Sequence, residues 1–209
     1  RAAAKDGSSL MEPSIECALA RVTTGEWSGT LRGVFGEFRP HTGVDGQKLG
    51  LGGDRVEQLR DRLDRLAVLL GHRPRLVVGK PGLDGHSNGA EQIAVRARDV
   101  GMDVVYEGIR LTPAQIARSA QQEGVHVIGL SILSGSHREL IPAVIDALRE
   151  AGVDAPVVVG GIIPEQDVAP LKEAGVAAVY TPKDFDLTRI MGDIVELVGE
   201  RSGVVAASA

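Results

Sequence analysis

The second half of the chain alternates short aliphatic segments with amphipathic ones. Five aliphatic runs are apolar nearly throughout, as strands buried on both faces are: RLVVGK (75–80), MDVVYE (102–107), VHVIGLS (125–131), PVVVGG (156–161) and AAVYT (177–181). A segment with helical periodicity follows each run. The pattern predicts an α/β fold with a five-stranded parallel sheet of the flavodoxin or Rossmann-like type, in the order 2-1-3-4-5.

Capping residues mark the ends of several predicted helices. Thr112, Pro113 and Gln115 supply an N-cap, a proline at the first helical position and a capping-box partner for the second helix of the alternation. Glycines are placed to stop helices just before the next strand or turn. They are Gly101, Gly124, Gly152 and Gly175.

The first 72 residues carry a helical pattern of their own, and we assign them to a segment that joins the sheet domain to another part of a protein. Two short helices are predicted over 11–38, the second capped by Thr24. Trp27, Phe35 and Phe38 fall on one side of that helix, and this side is expected to pack on something else.

A glycine-rich stretch over 39–54 predicts a loop, and a further helix is predicted over Val56–Leu70. The sheet domain is placed at 73–200, and the small, polar residues at 201–209 predict a flexible tail.

Composition narrows the class of protein. The chain has 209 residues, 43% hydrophobic but only 3% aromatic, which predicts an aliphatic core. The net charge of −5, with Lys and Arg spread along the chain, argues against nucleic-acid binding. A single cysteine, Cys17, argues against disulfides and Cys-based metal sites. No membrane span or signal peptide is visible, so we expect a cytoplasmic protein. Because the chain opens with Arg1, we expect a piece of a longer polypeptide.

The order 2-1-3-4-5 places a ligand at the carboxyl ends of the strands, beside the switch point between strands 1 and 3. KPGLDGHSNG (80–89) follows strand 1, SILSGSH (131–137) follows strand 3, and strand 4 ends in Gly160 and Gly161. Glycine permits close approach of the backbone to a ligand, and helix N-termini favour phosphate. We therefore expect a long site with a polar or phosphate-bearing end.

Several familiar phosphate sites do not match. The chain has no GxxxxGK[ST] motif and no GxGxxG after strand 1. A phosphoacceptor receiver domain shares this topology but needs an aspartate at the end of strand 3, where Leu130 and Ser131 stand. Lys183, near the end of strand 5, would fit a receiver but is weak evidence alone.

His86 is the histidine whose position suggests chemistry. Most lone loop histidines are solvated and have no role. We also give no role to His126, which is predicted to lie in strand 3, or to His137, which is predicted to begin a helix. His86 lies at the predicted ligand edge, and Asp84 could orient its imidazole. A zinc or iron site normally needs three or four protein ligands, which this loop lacks. A haem or corrin brings four ligands of its own, so one histidine suffices as an axial ligand.

Three motifs at fixed spacing resemble the cobalamin-binding domains. They are Asp84-x-His86-x-x-Gly89, then 41 residues to Ser131-x-Leu133, then 26 residues to Gly160-Gly161. The resemblance implies that His86 coordinates cobalt from below and displaces the dimethylbenzimidazole base of the cofactor. The nucleotide tail would then run between strands 1 and 3, along a channel lined by the second motif and against the glycine backbone of the third.

The resemblance implies further cofactor-binding neighbours and a supporting pair. The neighbours are Gly85, Ser87, Ile93, Gly135, Tyr180 and Thr181. Asp84 would accept the far imidazole N–H, which fixes the tautomer and makes the ligand more basic. Lys80 could tune that carboxylate, or it could be a solvated strand end.

Within these domains, the chain resembles acyl-CoA mutases more than methyl-transfer carriers. Methyl carriers usually follow the motif glycine with Lys-Asn, whereas this chain has Gly89-Ala90-Glu91 and has Lys80 ahead of Asp84. The segments KPGLDGHSNGAEQ, LSILSGSH, VVVGGIIP and VYTPKDFDL are most similar to ethylmalonyl-CoA mutases. The N-terminal segment resembles the one that joins a mutase barrel to its cobalamin domain. The likeness thus covers nearly the whole chain but only about the last third of a full mutase.

The resemblance implies the cofactor-binding part of an adenosylcobalamin-dependent isomerase that rearranges a short branched acyl-CoA of the ethylmalonyl-CoA/methylsuccinyl-CoA type. It implies base-off binding, acyl-CoA contacts through the missing barrel, a homodimer as the full protein, and no catalytic residue or activity in this chain alone. Three alternatives stay open: a methylmalonyl-CoA mutase fragment, the small subunit of a two-chain mutase, and a non-enzymatic cobalamin carrier or sensor.

Overall fold

The computed structural model describes residues 1–36 and 53–203. Its contacts divide the chain into two compact units, Arg1–Leu49 and Gly50–Ala209. Phe38, most of the loop predicted over 39–54 and the end of the predicted tail lie outside the described residues. None of the helices in the described ranges is long and apolar enough to cross a lipid bilayer.

The first unit contains three short helices, α1 (Ala2–Asp6), α2 (Met11–Leu19) and α3 (Thr24–Phe35). A capping box opens α3, in which the Thr23 side chain accepts the backbone N–H of Glu26 and the Glu26 side chain accepts that of Thr23. The N-cap predicted at Thr24 is therefore wrong by one residue, because the capping-box glutamate lies three residues after Thr23.

Neither α2 nor α3 buries a residue. The indole N–H of Trp27 donates to Ser14 Oγ at 3.0 Å, which ties α3 to α2. Large apolar side chains nevertheless stay exposed on both helices. They are Met11, Ile15, Leu19, Trp27 and Phe35.

The second unit is built on a five-stranded sheet. Its strands are β1 (Arg75–Gly79), β2 (Asp103–Tyr106), β3 (Val127–Ile132), β4 (Val157–Gly161) and β5 (Val176–Tyr180). All neighbours are parallel and the order is β2-β1-β3-β4-β5, which confirms the predicted fold. Ser131 pairs with Gly160, and Gly160 pairs with Tyr180, so β3, β4 and β5 end close to the same level.

Helices cover both faces of this sheet. They are α4 (Gly53–Leu70), α5 (Asn88–Val100), α6 (Pro113–Glu123), α7 (His137–Glu150), α8 (Val168–Glu173) and α9 (Leu187–Arg201), with a 3₁₀ turn at Glu165–Asp167 before α8. One core lies between the sheet and α4, α5 and α9, and the other between the sheet and α6, α7 and α8. The cap predicted for α6 at Thr112, Pro113 and Gln115 is confirmed.

Helix α4, which precedes β1, packs in the core on one face of the sheet. The apolar stripe of α4, at Val56, Leu59, Leu63 and Leu66, is buried in the same core as α5 and α9. Full burial of one such side chain contributes about 1.5–3 kcal/mol. The sequence placed this helix in the joining segment, whereas its contacts assign it to the unit that carries the sheet.

Candidate cofactor site at the carboxyl edge

The chain leaves β1 through a short extension of the sheet. Leu111 N donates to Lys80 O and Gly82 N donates to Leu111 O, both at 3.0 Å, so 80–82 run beside the segment that precedes α6. Gly82 has φ +87°, and a Cβ there would lie 2.6 Å from Leu140 Cδ1. Glycine is therefore required at this turn. From Leu83 the backbone is free of this pairing until α5 begins.

Asp84 is the centre of the loop. Its Oδ1 lies 2.7 Å from His86 Nδ1 and accepts the His86 backbone N–H at 3.0 Å. Its Oδ2 accepts from Lys80 Nζ at 3.2 Å. The carboxylate has 7% of its side chain exposed and the ammonium 1%, so the two form a buried ion pair.

Lys80 is thus not a solvated strand end, and that alternative is wrong. Its Nζ also donates to the backbone carbonyl of Ser131 at 3.3 Å. Because Ser131 belongs to β3, the ammonium links the end of β1 to the neighbouring strand on the far side of the switch point. The ion pair therefore fixes Asp84 relative to the sheet, and Asp84 in turn fixes the imidazole.

Hydrogen bonds keep Asp84 ionised. The backbone and ring N–H groups of His86 hold the pKa of the Asp84 carboxyl well below its ordinary value, and Lys80 adds to this effect against the opposing effect of burial. An ionised carboxylate only accepts, so Nδ1 of His86 carries the hydrogen. Nε2 is then the nitrogen with a free lone pair in the neutral ring, on a side chain that is 81% exposed.

A cavity of about 220 Å³ lies between the carboxyl half of the sheet and helices α5 and α9. Eight of the predicted cofactor-binding residues line it: Gly89, Ile93, Ser131, Leu133, Gly160, Gly161, Tyr180 and Thr181. Asp84, Gly85, His86 and Ser87 lie in the loop that leads into α5. Gly135 is not among the lining residues and forms a left-handed turn ahead of α7.

The cavity has further walls that the motifs did not indicate. They are Val78, Ala90, Gln92, Gly129, Leu130, Val158, Asp184, Leu187, Ile190 and Ile194. The spacing of the three apolar residues from α9 predicts one face of a helix. The sequence could not show that this face meets α5 across a gap.

The two glycines at the end of β4 differ in how much room their surroundings leave for a side chain. A Cβ at Gly161, where φ is +147°, would lie 1.8 Å from the carbonyl oxygen of Ile132. Glycine is therefore required there by the approach of β3, whatever the cavity holds. A Cβ at Gly160 would meet only Tyr180 Cβ, at an ordinary 3.9 Å. Of the two residues, Gly160 is the one at which an added methyl group has room.

The carboxylate of Asp184, at the cavity wall, already has hydrogen-bond donors within the protein. Asp184 accepts the backbone N–H of Thr181 at 2.8 Å, its hydroxyl at 3.2 Å, and a hydrogen bond from Arg189. The Thr181 N–H is the main reason that the pKa of Asp184 is lowered. Burial raises the pKa of Tyr180 beside it, so that residue stays a neutral phenol. The cavity thus suits an uncharged, largely apolar group.

Three large apolar side chains are exposed on the loops of this edge. Leu83 follows β1, Ile162 follows β4 and Phe185 follows β5. Exposed apolar side chains on three loops of one edge are available for contact with an apolar ligand. In the described part of the chain, no group of three His, Cys, Asp or Glu side chains could hold a metal ion. The edge therefore offers one imidazole ligand in an apolar setting.

The two histidines that were given no role both have defined partners: His137 begins α7 as predicted, whereas His126 comes one residue before β3 instead of lying in it. His126 is half-buried at the opposite edge of the sheet, where its Nδ1 accepts the backbone N–H of Arg75 at 3.1 Å. His137 is buried and bonded to Asp167. In both cases the partner is distant in sequence, so no local motif could have indicated it.

Comparisons with known proteins agree with this geometry. Residues 74–184 match the family model described as the B12 binding domain. The chain is 55% identical over 206 residues to the ethylmalonyl-CoA mutase of Cereibacter sphaeroides, covering 99% of this chain and 31% of that protein. It is 39% identical over 201 residues to the methylmalonyl-CoA mutase of Rhizobium meliloti, covering 93% of this chain and 28% of that protein. The chain thus spans about a third of these relatives.

A solved structure shares the fold. The crystal structure of a cobalamin-binding protein from Desulfitobacterium hafniense superposes with a TM-score of 0.54 at 22% identity, over 70% of this chain and 71% of that one. At this level of identity the likeness concerns the fold alone.

Proposed function

This chain belongs to the B12-binding domain family, and from that premise we propose that it binds cobalamin with His86 as the lower ligand of cobalt. The observation that carries the proposal is the Asp84–His86 pair, which binds Nδ1 and leaves Nε2 for a ligand on an exposed loop. Asp84 is itself held by the buried Lys80. The imidazole is therefore oriented before any ligand arrives.

The residues present fit this cofactor. A corrin supplies four equatorial nitrogens, so a single imidazole completes the lower side, and the edge offers one. The displaced base is flat, aromatic and uncharged, which suits the cavity between α5 and α9. In this proposal Ser131 and Leu133 line the channel for the nucleotide tail, and Gly160 allows its close approach. The macrocycle would cover the exposed side chains of Leu83, Ile162 and Phe185.

The direct test is a titration of the protein with cobalamin, followed by visible absorption. We expect tight binding with a histidine-ligated, base-off spectrum. His86→Ala should lose that spectrum and weaken binding by a factor of about 100 or more. His72→Ala is the matched control, because His72 is an exposed histidine outside the site, and it should bind as the wild type does. An unchanged spectrum in His86→Ala would contradict the proposal.

The wider function that we propose is that of the cofactor part of an adenosylcobalamin-dependent acyl-CoA mutase of the ethylmalonyl-CoA type. The higher identity to the ethylmalonyl-CoA mutase than to the methylmalonyl-CoA mutase supports this choice. When bound, adenosylcobalamin supplies radical chemistry by homolysis of its cobalt–carbon bond. This chain would bind and orient the cofactor, and a separate barrel would bind the acyl-CoA, so the chain alone would be inactive.

The apolar side chains of α2 and α3 are the proposed contact with that barrel or with a second subunit. Trp27 and Phe35 lie partly or largely exposed on α3. With the barrel of a relative supplied as a separate chain, we expect association and turnover of ethylmalonyl-CoA in preference to methylmalonyl-CoA. Trp27→Glu should abolish association and leave cobalamin binding unchanged. Preferred turnover of methylmalonyl-CoA would favour the alternative mutase.

A further inference from the structure

A second histidine–aspartate pair lies at the same edge and has no part in the site described so far. His137 is the first residue of α7, and Asp167 ends the 3₁₀ turn that precedes α8. His137 Nε2 lies 2.8 Å from Asp167 Oδ2. The histidine is 3% exposed and the aspartate is buried as well, so the pair is removed from solvent.

The pair connects the two loops that carry predicted cofactor contacts. The segment before His137 includes Ser131 and Leu133, and the segment before Asp167 follows Gly160 and Gly161. These loops start together, since Ser131 pairs with Gly160 and the N–H of Ile162 donates to the carbonyl of Ile132 at 3.2 Å. The His137–Asp167 bond joins them again where each enters its helix.

The buried imidazole of His137 does not have both of its nitrogens hydrogen-bonded, as a core histidine usually does. His137 Nδ1 is buried and has no hydrogen-bond partner among the described residues. An unpartnered buried nitrogen is unfavourable. An apolar side chain of similar size would avoid that cost, but it could not bond to Asp167. The bond from Nε2 is therefore the feature that distinguishes histidine from an apolar residue at this position.

We propose that His137 and Asp167 are positioning residues that hold the loops after β3 and β4 in the shape that receives cobalamin. This inference rests on the proposed function. Neither side chain lines the cavity, so the pair acts through the backbone of 131–136 and 162–166. Loops that are ordered before binding need not be ordered by the ligand, and this preorganisation strengthens affinity.

The test measures apo stability and cobalamin affinity in the wild type and in three variants. His137→Leu removes the bond, and His137→Gln keeps an N–H donor near the position of Nε2. Leu148→Ala is the matched control, because Leu148 is buried on the same helix but at its far end. All are titrated with cobalamin by visible absorption, and the Tm of each apo protein is measured.

We expect His137→Leu to raise the Kd for cobalamin about tenfold while keeping the histidine-ligated spectrum, because His86 is untouched. His137→Gln should restore most of the affinity. Leu148→Ala should lower the Tm at least as much and leave the Kd within about twofold. The comparison is between the Kd values of variants that lose similar stability. If His137 only stabilised the fold, His137→Leu and Leu148→Ala would change the Kd equally.

The proposal is overturned if His137→Leu binds as tightly as the wild type, or if Leu148→Ala weakens binding equally at the same loss of Tm. Should His137→Leu fail to fold, Asp167→Asn takes its place, since it retains the size and one acceptor oxygen. Asp167→Asn should raise the Kd about threefold to tenfold, and an unchanged Kd there counts against the proposal. A wild-type protein that binds no cobalamin refutes the proposed function itself, before any of these variants is compared.

Discussion

Two histidine–aspartate pairs at one edge of the sheet have hydrogen bonds of nearly the same length and very different surroundings. His86 Nδ1 lies 2.7 Å from Asp84, and His137 Nε2 lies 2.8 Å from Asp167. The first imidazole is mostly in solvent, whereas the second is buried. The bond to the carboxylate fixes a ring in either setting. What differs is the remaining nitrogen, which is available to a ligand in the first pair and enclosed in the second.

The aspartates also differ in what supports them. Asp84 is held by the buried ammonium of Lys80 as well as by two N–H groups of His86. The side chain of Asp167 bonds to the imidazole of His137. The exposed pair is thus anchored through its carboxylate, and the buried pair through the packing of both members.

The largest effect should come from removing the carboxylate of Asp84. Asp84→Ala leaves the ammonium of Lys80 buried with only a carbonyl partner, and should lower the free energy of unfolding by about 3–5 kcal/mol. Asp167→Ala removes one buried hydrogen bond, and should cost less, about 1–3 kcal/mol. Urea denaturation measures both. Adding Lys80→Met to Asp84→Ala should recover part of the loss, and equal losses for the two aspartates would break the comparison.

Removing the imidazoles should sharpen the contrast in the apo protein. His137→Ala deletes a buried side chain and leaves Asp167 unpartnered, and should cost about 2–4 kcal/mol. His86→Ala deletes a side chain that is mostly solvated, and should change stability by no more than about 0.5 kcal/mol. The same urea curves give both values. A loss above about 1 kcal/mol for His86→Ala would show that the exposed ring contributes to folding.

Acid should weaken the anchoring of the exposed pair within a defined range. The folded pKa of Asp84 lies below its ordinary value of 3.8, so its contribution to stability is complete above that pH. As the pH falls below 3.8, the unfolded chain binds the proton first, and the contribution is lost towards the folded pKa. The stability difference between wild type and Asp84→Asn should be constant from pH 7 to about 5 and shrink below about 4. A difference that shrinks between pH 7 and 5 would contradict the assignment.

The smallest effect should come from an exposed ion pair that serves as a reference. Lys183 pairs with Glu165, two residues before Asp167, and both side chains are largely exposed. Lys183→Ala should change the free energy of unfolding by about 0–0.5 kcal/mol, and less still in high salt. A larger loss would mean that the loop after β4 depends on surface charge as well as on His137.

The sequence was sufficient where the signal is local or repeats along the chain. Aliphatic runs with helices between them predicted the sheet and its order, and the switch point predicted the edge at which His86 lies. Asp84 is only two residues from His86, so a contact between them could be proposed from spacing alone. The one-residue error in the N-cap of α3 has the same local character, since two adjacent threonines stand at its start, Thr23 as the N-cap and Thr24 as the first helical residue.

Features that depend on the path of distant segments could not be predicted. The burial of Lys80 requires the backbone of Ser131 beside it, and the environment of His137 requires Asp167, 30 residues further on. The place of α4 depends on α5 and α9, with which its apolar stripe shares a core, and no pattern within α4 reveals these partners. Gly161 likewise cannot be replaced because the backbone of Ile132, on the neighbouring strand, lies too close to it.

The pairing with Leu111 has one more consequence. It anchors the chain as far as Gly82, and α5 begins at Asn88, so the imidazole of His86 is attached by the short segment 83–87. Such a tether gives a ligand an effective concentration on the order of millimolar or more. Free imidazole added to cobalamin-loaded His86→Gly should therefore restore the histidine-ligated spectrum only at comparable concentrations. The imidazole concentration that restores half of the spectrum would measure the effective concentration at which this loop presents the His86 imidazole.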